Sequence, residues 1–350
     1  MAMTSKERMQ AALDFQPVDR TPVYPLDGSS WVIREENMNY EQQYALDDAG
    51  AEMIVKHFRE LKSDVITSAT SAWMAWATTF GSSALLTNVG TTIQIKEGIK
   101  DLAALPDLTN DQIRDQLLQN PIVQAMITQN KEVKKLVGDE KMILTYICGP
   151  MTAANALVGA KLLIKTIAKK KPELAHLMDF STRCIAILSQ LYYEAGADYI
   201  VACDPVASGD MISLDMYKDV AVPGFENYKK NMSSDVKFFT HICGNAGDRN
   251  EAVQALGAKA FSVDWMVDMA DMLKRADHKM CMMGNLSPAD QMLQGTPESV
   301  YAESTRLLNL AYENGGGLLL SSGCDLPAGS PIANVHAMVK AAEDFAEAHK

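Results

Sequence analysis

Val236-Lys237-Phe238-Phe239-Thr240-His241-Ile242-Cys243-Gly244-Asn245 is a short apolar run that stops at a His-x-Cys pair. A brief apolar segment with a polar ending reads as a buried β-strand whose last residues are available for chemistry. Downstream, Leu318-Leu319-Leu320 ends in a similar way, at Ser321-Ser322-Gly323-Cys324-Asp325. One imidazole and two thiolates at strand ends make a three-ligand zinc site with an open fourth position, the arrangement that catalytic zinc requires. Gly244 and Gly323 stand beside the two thiols and permit tight turns there.

These two strands belong to a series. Counting from Thr21-Pro22-Val23-Tyr24-Pro25-Leu26, eight short apolar runs alternate with helical patterns. The others are 63–67, 141–150 (a strand and turn), 198–205, 260–264 and 279–286, with the His241 and Leu318 runs completing the set. Repeated βα units imply a parallel sheet, and eight in one chain predict an α/β fold closed as a (β/α)8 TIM barrel. An open doubly wound sheet is the competitor. No Gly-x-Gly-x-x-Gly follows a strand and no Walker-type loop is present, which weakens its nucleotide-binding form. Residues 4–15 read as a helix capped by Thr4 or Ser5, and roughly 40–61 and 162–195 as further helices. Residues 80–140 are an elaborated helical region, broken at Pro106 and Pro121, with a peripheral strand near Thr91–Ile95. No low-complexity tract flanks it, so residues 1–350 are expected to form a single barrel domain.

Composition removes several classes of function. A net charge of −12 argues against nucleic acid as a partner. No run of about 20 apolar residues exists to span a membrane. The N-terminal stretch has no apolar signal core, and the six cysteines form no Cys-x-x-Cys pair. A cytoplasmic protein with reduced thiols is therefore expected. The 21 methionines read as core filler.

In barrels of this kind catalytic groups gather at the C-terminal ends of the strands. Here those ends carry Asp27, Thr67, Cys148, Asp204, His241, Cys243, Asp264, Asn285 and Cys324. His241, Cys243 and Cys324 are the candidate metal ligands. Cys148 and Cys203 lack a neighbouring His and read as packing, Cys184 and Cys281 as core. His57, His176, His278, His336 and His349 fall in helices or turns and are expected to be solvated or capping.

At these motifs the chain resembles the uroporphyrinogen decarboxylase superfamily over nearly its whole length, and within it the corrinoid-dependent methyltransferase branch. The resemblance rests on Pro17-Val18-Asp19-Arg20-Thr21-Pro22-Val23, Cys148-Gly149-Pro150-Met151-Thr152, Glu194-Ala195-Gly196-Ala197-Asp198, and Asp204-Pro205-Val206-Ala207-Ser208. It rests further on His241-Ile242-Cys243-Gly244-Asn245, Gly284-Asn285-Leu286-Ser287-Pro288 and Gly323-Cys324. It implies the barrel, catalytic zinc on His241, Cys243 and Cys324, and a corrinoid carried on a partner protein. The chain departs from the decarboxylases in two places. Their Arg-rich loop after the first strand is Asp27-Gly28-Ser29-Ser30-Trp31 here, and their catalytic Asp after the second strand is replaced by Thr67-Ser68-Ala69-Thr70. Porphyrinogen decarboxylation is not expected.

The resemblance implies methyl transfer between a small molecule and the cobalt of methylcobalamin or cob(I)alamin on the partner. Strand-end loops poor in Arg and Lys but carrying Trp31, Trp73, Trp76 and Trp265 suit a phenyl methyl ether, so O-demethylation onto Co(I) is the expected direction. The alternative is transfer from the corrinoid to a thiol of the coenzyme M type. A third possibility, from another class, is a non-catalytic structural zinc protein with a closed four-ligand site. Asp204 is the candidate acid that orients substrate or a ligand. Trp31, Asp27, Trp73, Asp264 and Asn285 are the candidate substrate-binding residues.

Overall fold

The computed structural model of the chain describes residues 3–26, 29–37, 47–68, 72–85 and 94–350. Nine strands are found among them: β1 (Val65–Ser68), β2 (Ser83–Leu85), β3 (Gln94–Glu97), β4 (Met142–Cys148), β5 (Tyr199–Cys203), β6 (Phe238–Ile242), β7 (Ala260–Val263), β8 (Cys281–Leu286) and β9 (Leu318–Ser322). Seven form one parallel sheet in the order β1-β4-β5-β6-β7-β8-β9. Every residue of β1 and of β4 to β9 is buried. That accounts for the near-continuous apolar runs, since helices cover the outside of the sheet and side chains fill its inside.

The eighth expected strand is reduced to a bridge. Val23 pairs in parallel with Leu320. The Tyr24 N–H donates to the Leu320 carbonyl at 2.9 Å, the Leu320 N–H to the Pro22 carbonyl at 3.0 Å, and the Asp64 N–H to the Val23 carbonyl at 2.9 Å. Residues 22–24 thus join β9 on one side to the start of β1 on the other and close the barrel. Pro22 and Pro25 explain the shortness, because neither has an N–H to give to a ladder. The closure is pinned from the base. The buried Asp64 carboxylate accepts from the Val23 N–H at 2.8 Å, from Arg8 at 2.7 Å and from Arg20 at 2.7 Å.

Thr4 caps the helix Ser5–Leu13 in a capping box with Glu7. The peripheral strand lies at Gln94–Glu97, antiparallel to β2, while Thr91, Thr92 and Ile93 fall outside the described residues. Helices Asn110–Gln119 and Pro121–Val137 follow, separated at Pro121 as expected. The long helical region after β4 starts earlier than expected and is three helices, Pro150–Val158, Ala160–Ala168 and Glu173–Glu194. No single helix among the described residues is long and apolar enough to cross a membrane.

Candidate metal centre

Two C-terminal strand ends build the site. His241 is the penultimate residue of β6, Cys243 follows that strand directly, and Cys324 lies two residues past β9. The His241 Nε2 is 2.9 Å from the Cys243 Sγ and 3.8 Å from the Cys324 Sγ, and the two sulfurs are 3.4 Å apart. All three donor atoms lie within 4.8 Å of one another. Neither cysteine is in a disulfide.

The donors fit zinc. Around a tetrahedral ion with Zn–S of about 2.3 Å and Zn–N of about 2.0 Å, ligand atoms stand roughly 3.5–3.8 Å apart. Only the His241–Cys243 edge is clearly shorter than that. The electrostatics point the same way. The contact with Cys324 keeps the Cys243 proton in place, while contact with Cys243 and with His241 draws the Cys324 thiol well down. Two adjacent half-buried thiols, one of which is drawn toward thiolate, suit a divalent cation, since thiolate is the form that binds metal.

Supporting contacts fix His241 and the turn that carries Cys243. The His241 Nδ1 is 2.9 Å from the Ser262 hydroxyl, and Ser262 stands in register with His241 on β7. That contact holds the imidazole with Nε2 toward the sulfurs. Asp264 accepts from the Gly244 N–H at 2.8 Å and from the Trp265 N–H at 2.7 Å. Asp210 accepts from the Asn245 N–H at 2.9 Å. Gly244 has φ +71°, and a Cβ there would come within 2.2 Å of the Asp210 carboxylate. A Cβ on Gly323 would meet the Trp265 nitrogen at 2.5 Å. Both glycines are therefore obligatory, one for its backbone conformation as well as its space and the other for close approach of two mouth loops.

The remaining expected site residues take varied places. Asp204 is fully buried, and its carboxylate accepts from the Thr152 N–H at 2.7 Å, the Thr152 hydroxyl at 2.8 Å and the Met151 N–H at 3.2 Å. It holds the first turn of helix Pro150–Val158, where Gly149 offers no side-chain cap. Burial pushes this carboxyl up to about 6, against which those hydrogen bonds work. Asn285 donates to the carbonyls of Asp264 and Val267 and so ties down the loop after β7. Trp31 is buried, its indole N–H donating to the Ser330 carbonyl at 2.9 Å. Trp73 is half-buried, and its carbonyl accepts from the Cys148 thiol. Asp27 lies outside the described residues. His57 departs from the solvated or capping role expected of it. It is buried, and its Nε2 contacts Glu36, because the face of its helix that carries it packs against Trp31.

Ser262 and Asp210 were not singled out from sequence. Ser262 sits inside an apolar run, and only the β6–β7 register puts it opposite His241. Asp210 sits in a loop whose path the sequence does not specify.

A barrel with soft candidate metal donors at its C-terminal mouth, one such cluster among the described residues, defines a class of barrel enzymes. Within it, the chain belongs to the uroporphyrinogen decarboxylase (URO-D) family, whose model matches residues 4–345. A methylcobamide:CoM methyltransferase, MtaA of Methanosarcina barkeri, is 24% identical over 346 residues, covering 98% of both chains. MtbA of Methanosarcina mazei, another methylcobamide:CoM methyltransferase, is 26% identical over 352 residues with the same coverage. A solved methyltransferase from Methanosarcina mazei superposes with a TM-score of 0.85 at 24% identity, covering 98% of this chain and 99% of that one, and supports the fold. The site and the sequence relatives together define an enzyme that transfers methyl groups.

Proposed function

We propose that the protein moves a methyl group between a corrinoid on a partner protein and the sulfur of a small anionic thiol, with zinc held by His241, Cys243 and Cys324. The trio of donors at the barrel mouth, a buried His241 with two half-buried cysteines, carries this reading. The full-length relatives, named for coenzyme M, support the thiol. Bound to the trio, zinc supplies a Lewis acid that lowers the pKa of a thiol, and two thiolate ligands leave that sulfur nucleophilic.

The chain's own residues do the rest. Ser262 fixes the His241 ring plane. Asp264 and Asp210 fix the Cys243-Gly244-Asn245 turn. Asp204 is a positioning residue in this scheme, since its oxygens are taken up by Met151 and Thr152. Arg34 supplies the cation that an anionic thiol needs. Among the described residues it is the one arginine with no carboxylate in ion-pair distance, whereas Arg8, Arg20, Arg59, Arg114, Arg183, Arg249, Arg275 and Arg306 each have one. Its guanidinium donates to the Ala328 carbonyl at 3.2 Å and lies over Gly329, in the loop that follows Cys324.

The methyl-ether direction has weaker support. It rests on an aromatic mouth, yet Trp31 and Trp76 are buried, Trp73 is half-buried, and only Trp265 is substantially exposed, at 50%. The structural-zinc reading needs a fourth protein ligand. Among the described residues no further His, Cys, Asp or Glu donor joins the trio, and Asp264 is committed to backbone N–H groups.

The test combines zinc quantification with cobalt absorbance. Methylcobalamin and 2-sulfanylethanesulfonate should be consumed together by the wild type, and His241→Ala and Cys324→Ser should lose both metal and turnover. Arg34→Ala should raise KM for the sulfonate thiol and leave an uncharged thiol unaffected. Turnover only with Co(I) corrinoid and a methyl ether would reverse the direction. Unchanged metal content in both site variants would sink the centre itself.

A further inference from the structure

A run of cations stands out in this acidic chain. Lys161, Lys165, Lys169, Lys170 and Lys171 fall within eleven residues, against a net charge of −12 for the whole. The first four are exposed, and among the described residues none of the five has a carboxylate within ion-pair distance. They sit on helix Ala160–Ala168 and on the turn into helix Glu173–Glu194. Beside them is a groove of about 660 Å³, whose walls include Ile167, Lys171, Met178, Asp179, Met216 and Asp219.

The groove runs between the outer helices that follow β4 and β5, near the ends of those helices that lie toward the barrel's C-terminal side. Each helix that follows a parallel strand starts at the strand's C-terminal end and returns toward its base. Met178 lies in the second turn of the helix that returns to β5, and Met216 and Val220 lie in the first turns after the β5 loop. The same β5 loop carries Asp210, which holds Asn245 of the metal turn, and Met211, which is 48% exposed. Across the mouth, Trp265 and Met266 are 50% and 49% exposed on the loop after β7. Large apolar side chains thus remain uncovered on the mouth loops, and the lysine run borders a groove whose own walls are mostly apolar, with Lys170 and Lys171 facing Asp179 and Asp219.

A basic amphipathic helix also suits an anionic membrane surface. Here its apolar side is already used, because Leu163 and Ile167 are buried against the body of the protein at 0% and 6% exposure. What is left outward is a row of ammonium groups beside a shaped groove, which matches a protein carrying carboxylates better than it matches lipid.

We propose that the Lys161–Lys171 segment and its groove are the docking surface for an acidic face of the corrinoid-carrying protein, which would then lie over Met211, Trp265 and Met266 with its corrinoid above the metal centre. This rests on the functional reading above and adds where the partner sits.

The test uses two methyl donors: free methylcobalamin, and a corrinoid protein isolated by its cobalt absorbance and methylated at Co(I) with iodomethane. The variant is Lys165→Glu/Lys169→Glu/Lys170→Glu, all at exposed positions. With free methylcobalamin its rate should stay within twofold of wild type, which also shows that it folds. With the methylated carrier its kcat/KM should fall about tenfold or more. The wild type's carrier-dependent rate, but not the variant's, should drop steeply between low and physiological salt. An unchanged carrier-dependent kcat/KM would overturn the docking surface while leaving the functional reading intact. Binding of the wild type, but not the variant, to phosphatidylglycerol vesicles with carrier kinetics unaffected would assign the lysines to a membrane instead. Failure of the wild type to methylate a thiol from either donor would overturn the functional reading, and the docking surface with it.

Discussion

Replacing Ser262 by Ala removes one hydroxyl from the molecule, and its effect should appear at the metal. Ser262 is fully buried on β7, and its Oγ is 2.9 Å from the His241 Nδ1. Its loss leaves a buried ring nitrogen without that partner, worth about 1–3 kcal/mol. Part of this falls on the fold and part on the site, because the freed imidazole can turn away from the sulfurs. Loss of a partner that orients a ligating histidine typically weakens metal binding about 10–100-fold, or roughly 1.4–2.8 kcal/mol. The assay is competition of the metal-free protein against a chromophoric chelator for Zn²⁺, with urea unfolding of the metal-free forms run in parallel. We expect zinc affinity to fall by that factor and metal-free stability to fall by no more than about 3 kcal/mol. Zinc affinity within twofold of wild type would refute the idea that Ser262 orients His241. A variant that binds zinc normally and is merely less stable would reduce Ser262 to a packing residue.

Three further outcomes follow from the same contacts. Gly244→Ala should lower stability by about 1–3 kcal/mol and deplete bound zinc, because its φ of +71° and the 2.2 Å approach to Asp210 leave no room for a Cβ; full metal content would contradict this. Asp64→Asn should cost about 3–5 kcal/mol in urea unfolding, because Arg8 and Arg20 lose their shared buried carboxylate at the point where the barrel closes. The Asp204 carboxyl is raised from 3.8 to about 6 by burial, so the fold holds its proton more tightly than the unfolded chain does. Stability should therefore fall by about 3 kcal/mol as pH rises from about 4 to 6 and be flat for this group above that. An Asp204→Asn variant with the same pH slope as wild type would count against it.

Much of the barrel is legible in the residues themselves. Apolar runs ending in polar residues locate the strands, Pro and Gly mark where helices stop, and Thr4 with Glu7 marks where one starts. His241, Cys243 and Cys324 are recognisable because metal chemistry restricts the residue types, and because glycine stands beside each thiol. Strand ends face a common mouth in any closed barrel, so even their convergence can be anticipated. The first strand is legible in position but not in extent, since two prolines limit it to a bridge that β9 and the residue before β1 complete.

What only the tertiary structure decided are the relations that depend on register and on loop paths. Ser262 reaches His241 because β6 and β7 pair in one register, and a shift by one residue would turn that hydroxyl to the other face. Asp204 looks like a catalytic carboxylate in the sequence and is found capping a helix across the β5 loop. Trp31 looks like a pocket wall and is found packed under residue 330. In each case the residue type is written in the chain, but its partner lies far away in sequence. The sequence by itself determined the strand series and the three candidate metal donors. The packing decided which neighbouring groups hold those donors in place.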